Sequence, residues 1–158
     1  MQKKLRKLLE QAYELCEDEN YARALEYYDI ALDIEPDNLN VMVDKGVTLQ
    51  NLGRFNEALQ MYEKALSIEA ENLDALINKG SVLHTLKKYS EAISCYDAVL
   101  DHDKRNAMAL AYKGLTIGEM GNIPSAIKYF KKALRMDQDY DLAQISLLTA
   151  KNILKNMS

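Results

Sequence analysis

Residues 39–72 read LNVMVDKGVTLQNLGRFNEALQMYEKALSIEAEN, and the same pattern begins again at residues 5, 73 and 107. Gly46 has Ala12, Gly80 and Gly114 as its counterparts, and Ala58 has Ala24, Ala92 and Ala126. Tyr62 is matched by Tyr28, Tyr96 and Phe130, Ala65 by Ala31, Val99 and Ala133, and Leu66 by Leu32, Leu100 and Leu134. A period of this length means one supersecondary unit, copied and stacked so that each copy buries its apolar face on the next. Within the unit, Leu39, Met42, Gly46, Leu49 and Leu52 recur at three- and four-residue steps, which is helical spacing. Gly53-Arg54 breaks that run, and Phe55, Ala58, Leu59, Tyr62, Ala65 and Leu66 then mark a second amphipathic helix. Asn38, Asn72 and Asn106 stand just before first helices, where a side-chain oxygen caps free amides. Asn122-Ile123-Pro124 opens the last second helix with proline in its first turn, where the missing N–H costs nothing. The small residues predict close helix approach at Gly46 and Ala58, with Tyr62 filling the space between neighbouring units.

These residues resemble the tetratricopeptide repeat: a large apolar residue, then Gly, an aliphatic or aromatic residue, Ala, Tyr or Phe, Ala and Pro. The second unit supplies Met42, Gly46, Leu49, Phe55, Ala58, Tyr62 and Ala65 in those places. The resemblance implies an all-α fold, a right-handed α-solenoid of four helix-turn-helix repeats plus a C-terminal capping helix. The repeats fall at 5–38, 39–72, 73–106 and 107–140 and the capping helix at 141–157, in a single domain spanning 1–158. The sequence departs from the family pattern in two slots. The first apolar slot, usually tryptophan, holds Leu8, Met42, Leu76 and Leu110, and the closing proline survives only as Pro36. Ala70, Lys104 and Gln138 replace it elsewhere.

Both ends of the array read as caps. In the second unit Val41, the stem of Lys45, Thr48 and Leu52 face the preceding unit, whereas the first unit has Lys7, Gln11, Glu14 and Asp18 there. That polar face predicts an N-terminal cap, as repeat arrays require. At the other end Ala143, Leu147, Ala150, Leu154 and Met157 form a stripe expected to cover the fourth unit. Leu148 occupies the glycine slot and blocks a further helix, so the sequence predicts a complete stack. Ile145 and Leu148 are then an exposed apolar pair, read either as ordinary surface or as a patch for weak homo-oligomer formation.

The net charge of −4 conceals a gradient. Lys and Arg number 3 against 10 Asp and Glu in residues 5–38, but 5 against 3 in residues 107–140. Such a gradient favours pairing of acidic with basic ends. It supplies no basic stripe along one face, so no nucleic-acid partner is expected. Apolar runs fall short of the roughly 18 residues that a spanning helix needs, so membrane insertion is not expected either. The start, Met1-Gln2-Lys3-Lys4-Leu5-Arg6-Lys7, runs straight into Leu8-Leu9-Glu10 without a signal-peptide apolar stretch. Cys16 and Cys95 fall at different points of repeats one and three, which predicts reduced thiols and a cytoplasmic protein.

Chemistry is sparse. Lys-Gly pairs lie inside helices rather than in a phosphate-binding loop. His84 and His102 sit on different faces of the third unit without a complete ligand set, so no metal and no cofactor is predicted. His102 takes a slot filled elsewhere by Ile34, Ile68 and Met136, which predicts packing. Cys16 has no histidine in its own or the adjoining unit to activate it. The chain therefore reads as a non-catalytic protein, not an enzyme.

In the family, first helices line the concave surface, and the resemblance maps that face onto two rows. One holds Leu9, Val43, Ile77 and Ala111; the other holds Tyr13, Val47, Ser81 and Leu115. Arg6, Asn40, Asp74 and Met108, with Glu10, Asp44, Asn78 and Tyr112, flank them, and Gln50, Asn51, His84 and Glu119 stand near the rim. An apolar floor with scattered polar groups suits a peptide or helix with a few apolar anchors. The expected function is an adaptor that binds a partner protein in this groove through Leu9, Tyr13, Val43, Val47, Ile77, Asn78, Tyr112 and Leu115. A self-associating scaffold using the terminal surfaces at Ile145 and Leu148 is the alternative. One subgroup of the family holds C-terminal carboxylates with Lys and Asn on successive first helices. Here those slots hold Leu9 and Tyr13, or Val43 and Val47, with Asp74 or Met108 where a cation is required. The expected ligand therefore lacks a terminal acidic motif. Lys45, Lys79 and Lys113 recur beside the glycine slot and are expected to lay their stems over apolar neighbours with the ammonium in water. Their alternative role is a cationic row for a ligand. Lys128, Lys131, Lys132 and Arg135 read as a solvated face.

Overall fold

A computed structural model of the chain describes all residues from Met1 to Ser158. It consists of helices joined by short turns: α1 Gln2–Glu17, α2 Tyr21–Ile34, α3 Leu39–Asn51, α4 Phe55–Ile68, α5 Leu73–Thr85, α6 Tyr89–His102, α7 Ala107–Glu119, α8 Ile123–Met136 and α9 Asp141–Asn156. These are the four expected helix pairs and the ninth helix. Two compact units divide the chain, Met1–Val82 and Leu83–Ser158, with the boundary inside α5.

Turn chemistry sets the helix limits. Asn38, Asn72 and Asn106 each accept a backbone hydrogen bond through Oδ1, from the N–H groups of Val41, Ala75 and Ala109 at 3.1, 2.9 and 2.9 Å. Asn122 does the same for Ser125 at 3.1 Å. Each first helix ends in a left-handed residue at the same point of the repeat: Glu19, Gly53, Lys87 and Gly121, with φ of 56°, 74°, 60° and 93°. The following amide closes the turn, as when Arg54 N–H donates to the Leu49 carbonyl at 2.9 Å. Glycine adopts this conformation freely, whereas Glu19 and Lys87 adopt it against the crowding of their own Cβ.

Packing within the second and fourth pairs follows the small residues. A Cβ built on Gly46 would lie 2.8 Å from Cζ of the Tyr62 ring and closer still to Cε1. At Gly114 it would lie 2.8 Å from Cε1 of Phe130. In residues 1–82, Ala12, Ala24, Ala31, Ala58 and Ala65 are fully buried beside Tyr28 and Tyr62. In residues 83–158, Ala92, Ala133 and Ala143 are buried with Tyr96 and Phe130. Lys7 and Glu14 on α1, and Asp18 just past its end, are exposed, as the polar N-terminal face requires.

Three expectations about packing are corrected. The stripe on α9 stops early: Ala143 and Ala150 are buried, but Leu154 is 39 % and Met157 72 % exposed, because packing on α8 ends at Ala150. Leu52 is exposed, because it is the residue after α3 and the chain there turns into the left-handed Gly53. His102 is exposed rather than packed in the core. It is the last residue of α6, and its counterparts Ile68 and Met136 are likewise exposed at the ends of α4 and α8.

Candidate functional site

In residues 1–82 the first helices α1, α3 and α5 carry the predicted rows. Leu9, Val47 and Asn78 are half-buried, Val43 and Ile77 are buried, and Tyr13 is 47 % exposed. Leu9 and Tyr13 come together, with Leu5, Arg6 and Glu10, around an open depression of about 390 Å³. Tyr13 OH donates to Asp44 Oδ2 at 2.8 Å, tying α1 to α3, while its ring meets buried Tyr28 edge-on at 6.4 Å. One repeat on, Gln50 Nε2 donates to Ser81 Oγ at 3.3 Å, and Gln50 Oε1 accepts from Tyr62 OH at 3.1 Å. Asn78 turns its amide back on its own helix and donates to the Asp74 carbonyl at 2.9 Å.

Two groups here have displaced ionisation. Burial, together with the Asp44 carboxylate it hydrogen-bonds, pushes the Tyr13 phenol up to about 12. The Asp44 carboxyl is also raised: burial is the main cause, the hydrogen bond from Tyr13 opposes it, and the Asp74 charge adds to it. At neutral pH the phenol is therefore a donor, and the carboxylate is held by that single side-chain donor.

The recurring lysines do something the sequence reading missed. Lys45 Nζ lies 2.6 Å from Asp29 Oδ1, Lys79 Nζ 3.6 Å from Glu63 Oε1, and Lys113 Nζ 2.5 Å from Asp97 Oδ1. Each of these first helices is thus pinned to the second helix before it. Their ammonium groups are paired rather than left to water, and they form no cationic row on the predicted groove. The signal was present in the sequence as a carboxylate at a fixed distance before each of these lysines, repeated at Asp29, Glu63 and Asp97. Lys113 also sits 4.8 Å from the Tyr129 ring centroid, which has Lys132 at 5.0 Å.

In residues 83–158 Tyr112 stacks on buried Tyr96, with centroids 6.0 Å apart and planes 20° from parallel. His84 Nδ1 lies 2.8 Å from buried Thr116 Oγ1, and that hydroxyl donates to the Tyr112 carbonyl at 2.9 Å. The histidine thus serves a buried threonine rather than the rim. Leu115 and Ile145 share one cleft of about 210 Å³ with Gly118, Phe130, Ala150 and Ile153. Ile145 stands one repeat after Ala111, in the register of the predicted groove row. Leu148 lies outside the cleft lining and is 63 % exposed. No three His, Cys, Asp or Glu side chains converge as metal ligands. No helix is long and apolar enough to cross a membrane.

Known proteins with this arrangement share its repeat. Tetratricopeptide repeat family models match residues 9–66, 52–113 and 109–140. No curated protein matches the chain. Among solved structures, that of Pseudomonas aeruginosa PilF superimposes with a TM-score of 0.84 at 20 % identity, over 96 % of this chain and 69 % of PilF. A MamA fragment from Desulfovibrio magneticus gives 0.76 at 20 % identity, covering 97 % of this chain and 92 % of its own. A tetratricopeptide repeat protein from Parabacteroides merdae gives 0.78 at 24 % identity, over 96 % of this chain and 60 % of that protein. At these identities the likeness is one of fold. With repeat matches running from residue 9 to residue 140 and a helix pair in every predicted unit, the chain belongs to the tetratricopeptide repeat family.

Proposed function

We propose that the protein is a non-catalytic, cytoplasmic adaptor whose repeats act as one domain and bind a peptide or helix of a partner protein in the concave groove. Family membership supports the general role, since these repeats serve protein interaction. The observation that carries the groove is the incomplete burial of apolar side chains on first helices. Leu9, Val47, Tyr112 and Leu115 are only partly buried and Tyr13 is exposed, while Val43 and Ile77 on the same set of helices are buried. Such side chains are anchors waiting for a complementary apolar surface. Cys16 and Cys95 as thiols fit a reducing compartment.

The test is Val47→Gln, a neutral change that leaves charge untouched. Affinity capture from the source cell, followed by mass spectrometry, should recover a partner with the native protein and lose it with the variant at unchanged oligomeric state. Equal capture by both proteins rejects the groove. A second reading, self-association, is supported by Ile145 and Leu148, which are 66 % and 63 % exposed. A sedimentation mass that stays monomeric across concentration ends it. Because Ile145 shares a cleft with Leu115, a loss of partner capture in Ile145→Gln but not in Leu148→Gln would assign Ile145 to the groove.

A further inference from the structure

We infer that the groove of residues 1–82 selects a basic peptide segment, seating a Lys or Arg side chain of the ligand against Asp44 and Asp74 beside the exposed Tyr13 ring. This rests on the groove reading above and names the chemistry of its occupant.

The pairing of charges along the first helices leads there. Arg6 and Glu10 cancel each other through a 2.9 Å ion pair on α1. The lysines of α3 and α5, Lys45 and Lys79, are committed to Asp29 and Glu63 on second helices. Asp44, half-buried, and Asp74, exposed, remain on those same first helices with no cation against either carboxylate, within each other's field. The neighbouring rows hold Leu9, Val43, Val47 and Ile77, so the two charges border an apolar floor where a counter-charge is felt strongly. Tyr13 adds a neutral phenol, already donating to Asp44, and an exposed ring face able to receive a cation. An acidic peptide would bring like charge to both carboxylates. A basic side chain with an apolar stem matches both the floor and the charge.

The test is panning of a random displayed peptide library on the native protein, on Val47→Gln and on the double variant Asp44→Asn, Asp74→Asn. Enriched peptides are then synthesised and titrated by fluorescence anisotropy at low and high salt. Expected are peptides carrying Lys or Arg next to apolar residues. They should lose affinity in Val47→Gln, lose about tenfold or more in the double Asn variant, and weaken with salt. Asp74 stands in the first turn of α5, where its charge favours the helix, so each variant is titrated well below its own melting temperature, and lost binding is then not ascribed to unfolding. Neutral or acidic peptides that need Val47 but ignore the Asn changes overturn the charge inference and leave the groove standing. Peptides that ignore Val47→Gln, or no enrichment at all, overturn both.

Discussion

Gly46 and Gly118 both lie in first helices, yet the same substitution to alanine should move stability in opposite directions. Alanine favours a helix interior over glycine by about 0.5–1 kcal/mol, a gain that applies in full at Gly46 and in part at Gly118, the penultimate residue of α7. At Gly118 the new Cβ would meet only the Ala126 Cβ at 3.5 Å, an ordinary contact, so the gain stands alone. At Gly46 it would drive to 2.8 Å and nearer against a Tyr62 ring that is fully buried and tethered by its hydroxyl to Gln50 at 3.1 Å. The ring has no free space to swing into, and overpacking of this kind costs about 1–3 kcal/mol. Subtracting the propensity gain leaves Gly46→Ala less stable by up to roughly 2.5 kcal/mol, against a gain of up to about 1 kcal/mol for Gly118→Ala. Urea unfolding followed by far-UV circular dichroism reads both, with melting shifts of about 2–4 °C per kcal/mol in a chain of this size. Two shifts of the same sign, or a stabilised Gly46→Ala, would refute the claim that the glycine–aromatic contact sets the helix spacing.

Glu19→Gly and Lys87→Gly should each stabilise by up to about 1 kcal/mol, since both side chains occupy left-handed turns that glycine fills at Gly53 and Gly121; an unchanged urea midpoint contradicts this. Burial raises Tyr13 and Tyr140 to about 12 from an ordinary 10.0, and it raises Tyr28, Tyr62 and Tyr96 further. A raised value means that the folded protein holds the phenol proton more tightly than the unfolded chain. That contribution is therefore whole below pH 10 and lost as pH climbs toward 12 and above. Absorbance titration of the tyrosines should show their ionisation arriving together with unfolding; phenolate from these five appearing in the folded protein near pH 10 would contradict it. Asp44→Asn should be more stable than the native protein at neutral pH. The raised carboxyl contributes its stability fully below 3.8 and loses it as pH rises, while asparagine does not titrate. Melting curves at neutral and acidic pH check this, and a variant that melts below the native protein at neutral pH rejects it.

The helix pairs, their capping asparagines and the buried tyrosine row were legible because each rests on a local rule repeated in every unit. The candidate site was legible only as rows. Leu9 and Tyr13 do open onto one depression, and Tyr112 does lie on a first helix, but its stacking on Tyr96 was not visible in the spacing. Asn78, placed in the groove by the spacing, spends one amide N–H on the Asp74 carbonyl of its own helix, which the spacing did not show. The lysine pairs each join a helix to the one before it, so the likeness between copies of the repeat does not by itself reveal them. The cleft that Ile145 shares with Leu115 was not visible in the spacing either, because it forms only where α9 packs on the fourth unit.

The repeat period, the helix boundaries and the family follow from the order of residues alone, because hydrophobic spacing and capping act between neighbours in the chain. Which charges are satisfied is a different matter. Lys45 and Asp29, or Tyr13 and Asp44, meet only after separate helices pack, and electrostatics depends on distances that sequence separation does not report. The tertiary structure alone therefore decided that the lysines are committed to second helices, and that Asp44 and Asp74 have no cation paired with them.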